Sequence, residues 1–124
     1  MLYFMKTDYT NGSITFAQFI LGSSPNPSHA EEMANSFCNT NPEIAQHFAQ
    51  VSFLADNRLD LLNLKTKTYI LQCSEDMIAP EEVGLYMNQV ITNSTFIKLQ
   101  ATGHCPNLRA PIETIEVIEA YLDD

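Results

Sequence analysis

Basic residues are scarce in this sequence. Six Lys and Arg stand against 15 Asp and Glu in 124 residues, which gives a formal net charge of −9 at pH 7. A field of that sign repels phosphate backbones and anionic lipid headgroups. No apolar run reaches transmembrane length either. We therefore predict no nucleic-acid partner and no membrane partner.

Cysteine is scarce as well, and Cys38, Cys73 and Cys105 form no Cys-x-x-Cys pair. An odd number at wide spacing is not typical of a disulfide framework or a zinc cluster. The sequence predicts no metal and no cofactor. Free thiols and the absence of a signal-peptide pattern predict a cytoplasmic protein.

Glycine occurs at four positions, and none of them forms a Gly-x-Ser-x-Gly elbow. That elbow exposes a nucleophilic serine at a strand-to-helix turn. Cys73 and Cys105 are poor substitutes, since Cys105 adjoins the candidate base His104 and has an awkward approach to it. The sequence therefore predicts no internal nucleophile.

Residues 1–64 have only helical patterns, and we interpret them as a helical cap segment. The first predicted helix covers 14–21 and is ended by Gly22 and the turn 23–27, and the second covers about 29–38 after a capping box of Ser28 and Glu31. A third begins at Pro42, is capped by Asn41 and has the apolar stripe Ile44, Phe48 and Val51. A short fourth helix is predicted over Leu59–Leu64. Helical spacing of apolar residues and cap residues support each assignment.

Residues 65–124 alternate between strand and helix patterns, which predicts a βαβα unit of a parallel sheet. The predicted elements are a strand over 68–73, a helix from Pro80, a strand over 95–99, and a helix from Pro111 with Ile112, Ile115 and Ile118. The first strand is apolar on both faces, as inner parallel strands are. Two strands leave open edges, so the predicted class is a partial α/β fold. Either its missing strands come from another polypeptide or a second copy, or the fragment folds poorly alone.

Asp76 and His104 each follow one of the two predicted strands. The carboxyl ends of parallel strands carry the reactive groups of open α/β sheets. Alone, Asp76 resembles a turn acid and His104 a loop histidine, but together they predict an acid that orients a general base. Glu75 is the competing acid, and we choose Asp76 because it directly begins the turn to Pro80.

Three segments resemble the C-terminal half of an α/β-hydrolase, more narrowly the RsbQ-type bacterial stress-signalling hydrolases and the related plant karrikin and strigolactone receptors. The segments are Ser36–Ala45, Leu71–Met87 and Gly103–Pro106, within a resemblance that spans about 28–122. The chain departs from the family in the segment Tyr9–Ala17, where the family has an aromatic-rich stretch with Trp.

The resemblance implies that Asp76 is the triad acid and His104 the triad base. It also implies a cap over a small apolar pocket, for which Phe16, Phe19, Phe37 and Phe53 are the candidate lining residues or, alternatively, core aromatics. The family hydrolyses or senses small hydrophobic esters or lactones. Its bacterial members work beside a phosphatase that activates a stress sigma factor.

Two functional hypotheses remain open from the sequence. The first is a truncated or split serine hydrolase, for which we predict no esterase activity in the isolated chain because the serine and the oxyanion donors are missing. The second is a non-catalytic interaction module that docks a separate N-terminal half or, as a homodimer, another copy.

Overall fold

A computed structural model of the protein describes residues 7–22 and 27–122. Within these ranges it has, in chain order, α1 (Tyr9–Leu21), α2 (Pro27–Cys38), α3 (Pro42–Leu54), α4 (Arg58–Leu61), β1 (Thr68–Ser74), α5 (Glu81–Val90), β2 (Ser94–Thr102), α6 (Pro106–Arg109) and α7 (Pro111–Leu122). This mixed helix and strand architecture with a small parallel sheet is consistent with part of an α/β fold. Across the described ranges, every helix is too short or too polar to cross a bilayer.

The first two helices begin earlier than predicted. Helix α1 begins at Tyr9 rather than Ile14, because the Asp8 carboxylate accepts a hydrogen bond from the backbone N–H of Asn11 and caps the helix. Helix α2 begins at Pro27, so Ser28 is already helical and is not the cap residue that the capping box predicted. Residues 23–26 of the predicted turn 23–27 lie outside the described residues, and Pro27 already belongs to α2.

Helix α3 begins as predicted, but its apolar stripe is not covered. The Asn41 side chain accepts hydrogen bonds from the N–H groups of Glu43 at 3.0 Å and Ile44 at 3.2 Å. Ile44, Phe48 and Val51 nevertheless face solvent, and Phe48 is 72% exposed. Within the described chain the helix buries only Ala49.

Strands β1 and β2 pair in parallel, with an irregularity at their carboxyl ends. The register runs from Thr68 opposite Ser94 to Gln72 opposite Lys98, and then resumes with Ser74 opposite Thr102. One residue of β1 therefore faces three of β2, which makes a bulge in β2. The Glu113 carboxylate of α7 accepts hydrogen bonds from the N–H groups of Gln100 and Ala101 in this bulge.

The sheet carries the main apolar cluster. Its buried members are Cys73, Leu99 and Ala101, with Leu71, Ile97, Ala110 and Val117 packed against them. Helix α7 contributes Val117 and the buried Thr114, but the predicted stripe of Ile112, Ile115 and Ile118 faces solvent. The attachment through Glu113 turns that stripe away from β2. The helix has thus docked on its less apolar side.

Candidate active site

The acid loop directly follows β1. Glu75 has φ of +52°, a left-handed conformation that is uncommon outside glycine, and it turns the chain sharply after Ser74. The next residue, Asp76, then points inward, and its side chain is 5% exposed. Its Oδ1 accepts hydrogen bonds from the N–H groups of Ile78 and Ala79, both at 2.9 Å. The loop's own backbone thus holds the carboxylate in place.

The second oxygen of Asp76 contacts the imidazole of His104. The Nδ1–H group of His104 donates to Asp76 Oδ2 at 2.9 Å. The carboxylate accepts this bond, so the tautomer that carries the proton on Nδ1 is favoured. The imidazole is 39% exposed, and its Nε2 has no hydrogen-bond partner among the residues described. Nε2 is therefore open to a reacting group.

Glu75, the competing acid, lies outside this pair. Its side chain is exposed, while that of Asp76 is directed to His104. The left-handed turn at Glu75 explains the difference, since it reorients the backbone between the two acids. Of the five candidate groups at the strand ends, the structure thus brings Asp76 and His104 into hydrogen-bond contact. The other three are Glu75, Cys73 and Cys105.

Several hydrogen bonds fix the backbone around His104. The N–H of Gly103 donates to the Ser74 carbonyl at 3.1 Å, and the N–H of His104 donates to the Ile20 carbonyl at 2.9 Å. Ser74 Oγ lies 3.1 Å from the Ala101 carbonyl, to which it donates. This hydroxyl therefore holds the two strand ends together and is not presented as a nucleophile.

The neighbouring thiols are held in their protonated form. Burial, with a smaller contribution from the Asp76 charge, raises the pKa of Cys73 from 9.0 to about 11. The same two causes raise the pKa of Cys105. Because the thiolate is the reactive form, both cysteines are poor nucleophiles at neutral pH.

An apolar cavity of about 340 Å³ lies beside the acid loop. Its lining residues are Gly12, Thr15, Phe16, Phe19, Phe53, Met77 and Ile78. Three of the four predicted aromatic residues therefore share one cavity. Phe37 does not line it, but its ring stacks on Phe16 with centroids 5.6 Å apart.

A second space, a groove of about 310 Å³, runs along β1 and reaches both Asp76 and His104. Its other walls are α5 residues such as Val83, Gly84 and Met87. The Asp76–His104 pair therefore lines this groove, while Met77 and Ile78, which follow Asp76 in the chain, line the apolar cavity. In the described ranges, no group of three His, Cys, Asp or Glu is placed to hold a metal ion.

The sequence interpretation missed Met77, Ile78 and Arg109. Met77 and Ile78 follow Asp76 directly and line the cavity, so their position after the acid was the available signal. Arg109 binds the Leu21 carbonyl and the Thr102 hydroxyl. No local pattern indicates such long-range contacts.

The chain is similar to a solved hydrolase. It superposes on olei00960, a hydrolase from Oleispira antarctica, with a TM-score of 0.94 and 29% sequence identity. The match covers 99% of this chain but 45% of that protein, so the chain spans less than half of its neighbour's length. No protein-family model matches the chain, and a search of curated proteins gives no match. These findings support a hydrolase-like fold.

Proposed function

We propose that this chain is the part of an α/β-hydrolase that supplies the triad acid and base. Asp76 orients His104 and stabilises the imidazolium, while Nε2 of His104 takes a proton from a nucleophile and returns it to the leaving group. The single observation that carries this proposal is the 2.9 Å hydrogen bond between a buried carboxylate and a half-exposed imidazole at neighbouring strand ends.

The nucleophilic serine comes, in this proposal, from a polypeptide segment outside the present sequence. None of the four glycines builds a nucleophile elbow. The open groove along β1 reaches Asp76 and His104 and offers space beside them. The 45% coverage of the hydrolase neighbour is consistent with such a partition.

The proposed substrate is a small hydrophobic ester or lactone, as in RsbQ-type hydrolases, and the proposed setting is stress signalling beside a phosphatase. The apolar cavity of about 340 Å³ supports the substrate class, because a space of this volume with a mostly apolar lining suits a small hydrophobic ligand. Three aromatic rings line it, so an apolar ligand would be preferred there.

A chimera tests the catalytic assignment. The matching 45% of the Oleispira hydrolase is replaced by this chain, and turnover of a short-chain nitrophenyl ester is measured. We expect His104→Ala and Asp76→Asn each to lower kcat by about three to four orders of magnitude. His47→Ala and Glu75→Gln are matched controls on exposed side chains and should leave kcat unchanged.

The chimera also tests the cavity. Longer acyl chains should raise KM, and Phe19→Ala should restore their binding because it widens the cavity. Phe48→Ala, on the exposed face of α3, is the matched control. Equal activity of the His104→Ala and parent chimeras would contradict the proposal. If the isolated chain turned over the ester and His104→Ala abolished that turnover, only the assignment of the nucleophile to a segment outside this sequence would be contradicted.

A second candidate function is a non-catalytic docking module, and the exposed apolar stripes of α3 and α7 favour it. Phe48 and Ile112 are each 72% exposed, which is costly for large apolar side chains in an isolated domain. Light scattering distinguishes the arrangements. A doubled mass indicates a homodimer, whereas a monomer that binds an N-terminal hydrolase half indicates a split protein.

A further inference from the structure

The carbonyl groups at the end of α1 obtain their hydrogen-bond partners from the loop that carries His104. The last carbonyls of any helix lack partners within the helix. Here the N–H of Gly22 donates to the Gln18 carbonyl, and the N–H of His104 donates to the Ile20 carbonyl at 2.9 Å. The Arg109 guanidinium donates to the Leu21 carbonyl. The His104 loop therefore caps α1.

Arg109 also holds the other side of the loop. Its second terminal nitrogen donates to the Thr102 hydroxyl at 2.7 Å. Thr102 is the last residue of β2 and Leu21 the last residue of α1. One planar guanidinium thus joins the ends of a strand and a helix, and the backbone of His104 runs between the two anchored points.

Gly103 shows how closely these two elements approach. It has φ of +83°, and a Cβ atom at this position would lie 2.8 Å from the Leu21 carbonyl oxygen. The loop can press against the helix end because this residue has no side chain. The loop and the end of α1, which Arg109 also bridges, are therefore in close backbone contact.

We propose that Arg109 is a positioning residue for His104, and that it acts through the end of α1 to hold the imidazole against Asp76. The proposal rests on the proposed role of His104 as the general base. A charged guanidinium that bridges two acceptors fixes both distance and angle, which a lysine cannot do. A base needs its ring held within a narrow range of positions, so this bridge has a direct consequence for His104.

Nitrogen NMR of the histidine rings tests the proposal on the chain itself. The protein has three histidines, so each ring nitrogen can be assigned from single variants. At about pH 8, where an ordinary imidazole is neutral, the shifts report which nitrogen carries the proton. We expect the Nδ1–H form for His104 in the parent chain. In Arg109→Met and Arg109→Lys, its shifts should move toward the averaged values of the exposed His47.

Amide hydrogen exchange supplies the second measurement. We expect the N–H groups of Gly103 and His104 to exchange about tenfold faster in Arg109→Lys, because a loosened anchor allows local opening. The N–H of Ile91, whose carbonyl partner lies in α5, should be unaffected. This pattern is local, so it separates positioning from a general loss of stability.

Arg58→Lys is the matched control, since Arg58 pairs with Asp56 at the surface and touches neither loop. It should leave the His104 ring and both amides unchanged. If Arg109→Met does not fold, Arg109→Lys decides the result. Unchanged ring shifts and exchange in the Arg109 variants, or equal changes in Arg58→Lys, would overturn the proposal. An inactive chimera with the parent ring shifts would instead reject the proposed function.

Discussion

Two regions of the molecule differ in how many contacts their side chains make within the chain. One is the pair of loops that follow β1 and β2, and the other is the outer faces of α3 and α7. In the loops, both oxygens of Asp76 are bonded, and the backbone of Gly103 and His104 is anchored on two sides. On the helices, Phe48 and Ile112 face solvent. The comparison teaches that this chain holds Asp76 and His104 together with its own contacts, whereas the apolar faces of α3 and α7 are not buried by the described residues.

The largest expected effect lies in the cluster beneath the loops. Leu99 is 1% exposed and packs with Cys73 and Ala101. We expect Leu99→Ala to lower the free energy of unfolding by about 2 to 5 kcal/mol, through lost burial and the cavity that remains. Urea denaturation measures the change. A loss as small as that of an exposed leucine, such as Leu59→Ala, would mean that the cluster is not a core.

Gly103→Ala should have the next largest effect on stability. Its φ of +83° disfavours a side chain, and the added methyl group would overlap the Leu21 carbonyl. We expect a loss of about 2 to 4 kcal/mol in urea denaturation. Gly22→Ala is the matched control, because Gly22 also has a positive φ but its added methyl group would make only an ordinary contact with Gly103 Cα at 3.9 Å, and it should cost about 1 to 2 kcal/mol. If both variants lost the same free energy of unfolding, the close approach of Gly103 to the Leu21 carbonyl would not be the cause.

A smaller effect concerns pH. The pKa of Cys73 rises from 9.0 to about 11 on folding, so its stabilising contribution is complete below pH 9 and is lost as the pH rises toward 11. The unfolded chain ionises first in this window. We therefore expect stability to fall with rising pH, and to fall less steeply in Cys73→Ala. A slope in Cys73→Ala equal to that of the parent chain would contradict this cause.

The smallest expected effect lies on the stripe of α3. Phe48→Ser should change the free energy of unfolding by no more than about 0.5 kcal/mol, because the ring is already in water in the isolated chain. Urea denaturation measures this change. A loss as large as that of Leu99→Ala would show that this face is covered within the chain, and the contrast between loops and helices would disappear.

Local signals in the sequence predicted most of the helices and both strands. Asn41 and Pro42 fixed the start of α3, and the two apolar runs marked β1 and β2. The start of α1 differs from the prediction because the cap at Asp8 precedes the first apolar residues of the helical pattern. Helical spacing identified the apolar stripes but could not tell whether this chain covers them, since burial depends on what packs against each helix.

The sequence indicated the two residues of the candidate site, Asp76 and His104, but not the contacts that hold them in place. Strand-end positions indicated Asp76 and His104 without any knowledge of distances. The contacts that hold them come from far along the chain, from Ile20, Leu21 and Arg109. Such contacts depend on tertiary packing, and no pattern within a short window records them.

The bulge in β2 makes the number of residues before His104 important. Its surplus residues carry Gly103 beyond the last pair of the sheet before His104 is reached. Side chains alternate along a strand, so removing a single residue between Leu99 and Thr102 would reverse the direction of the last strand residues and would shift the start of the His104 loop. Surface loops usually tolerate insertions and deletions. Here the number of residues determines where the His104 ring points. We therefore expect this short stretch to tolerate neither insertions nor deletions.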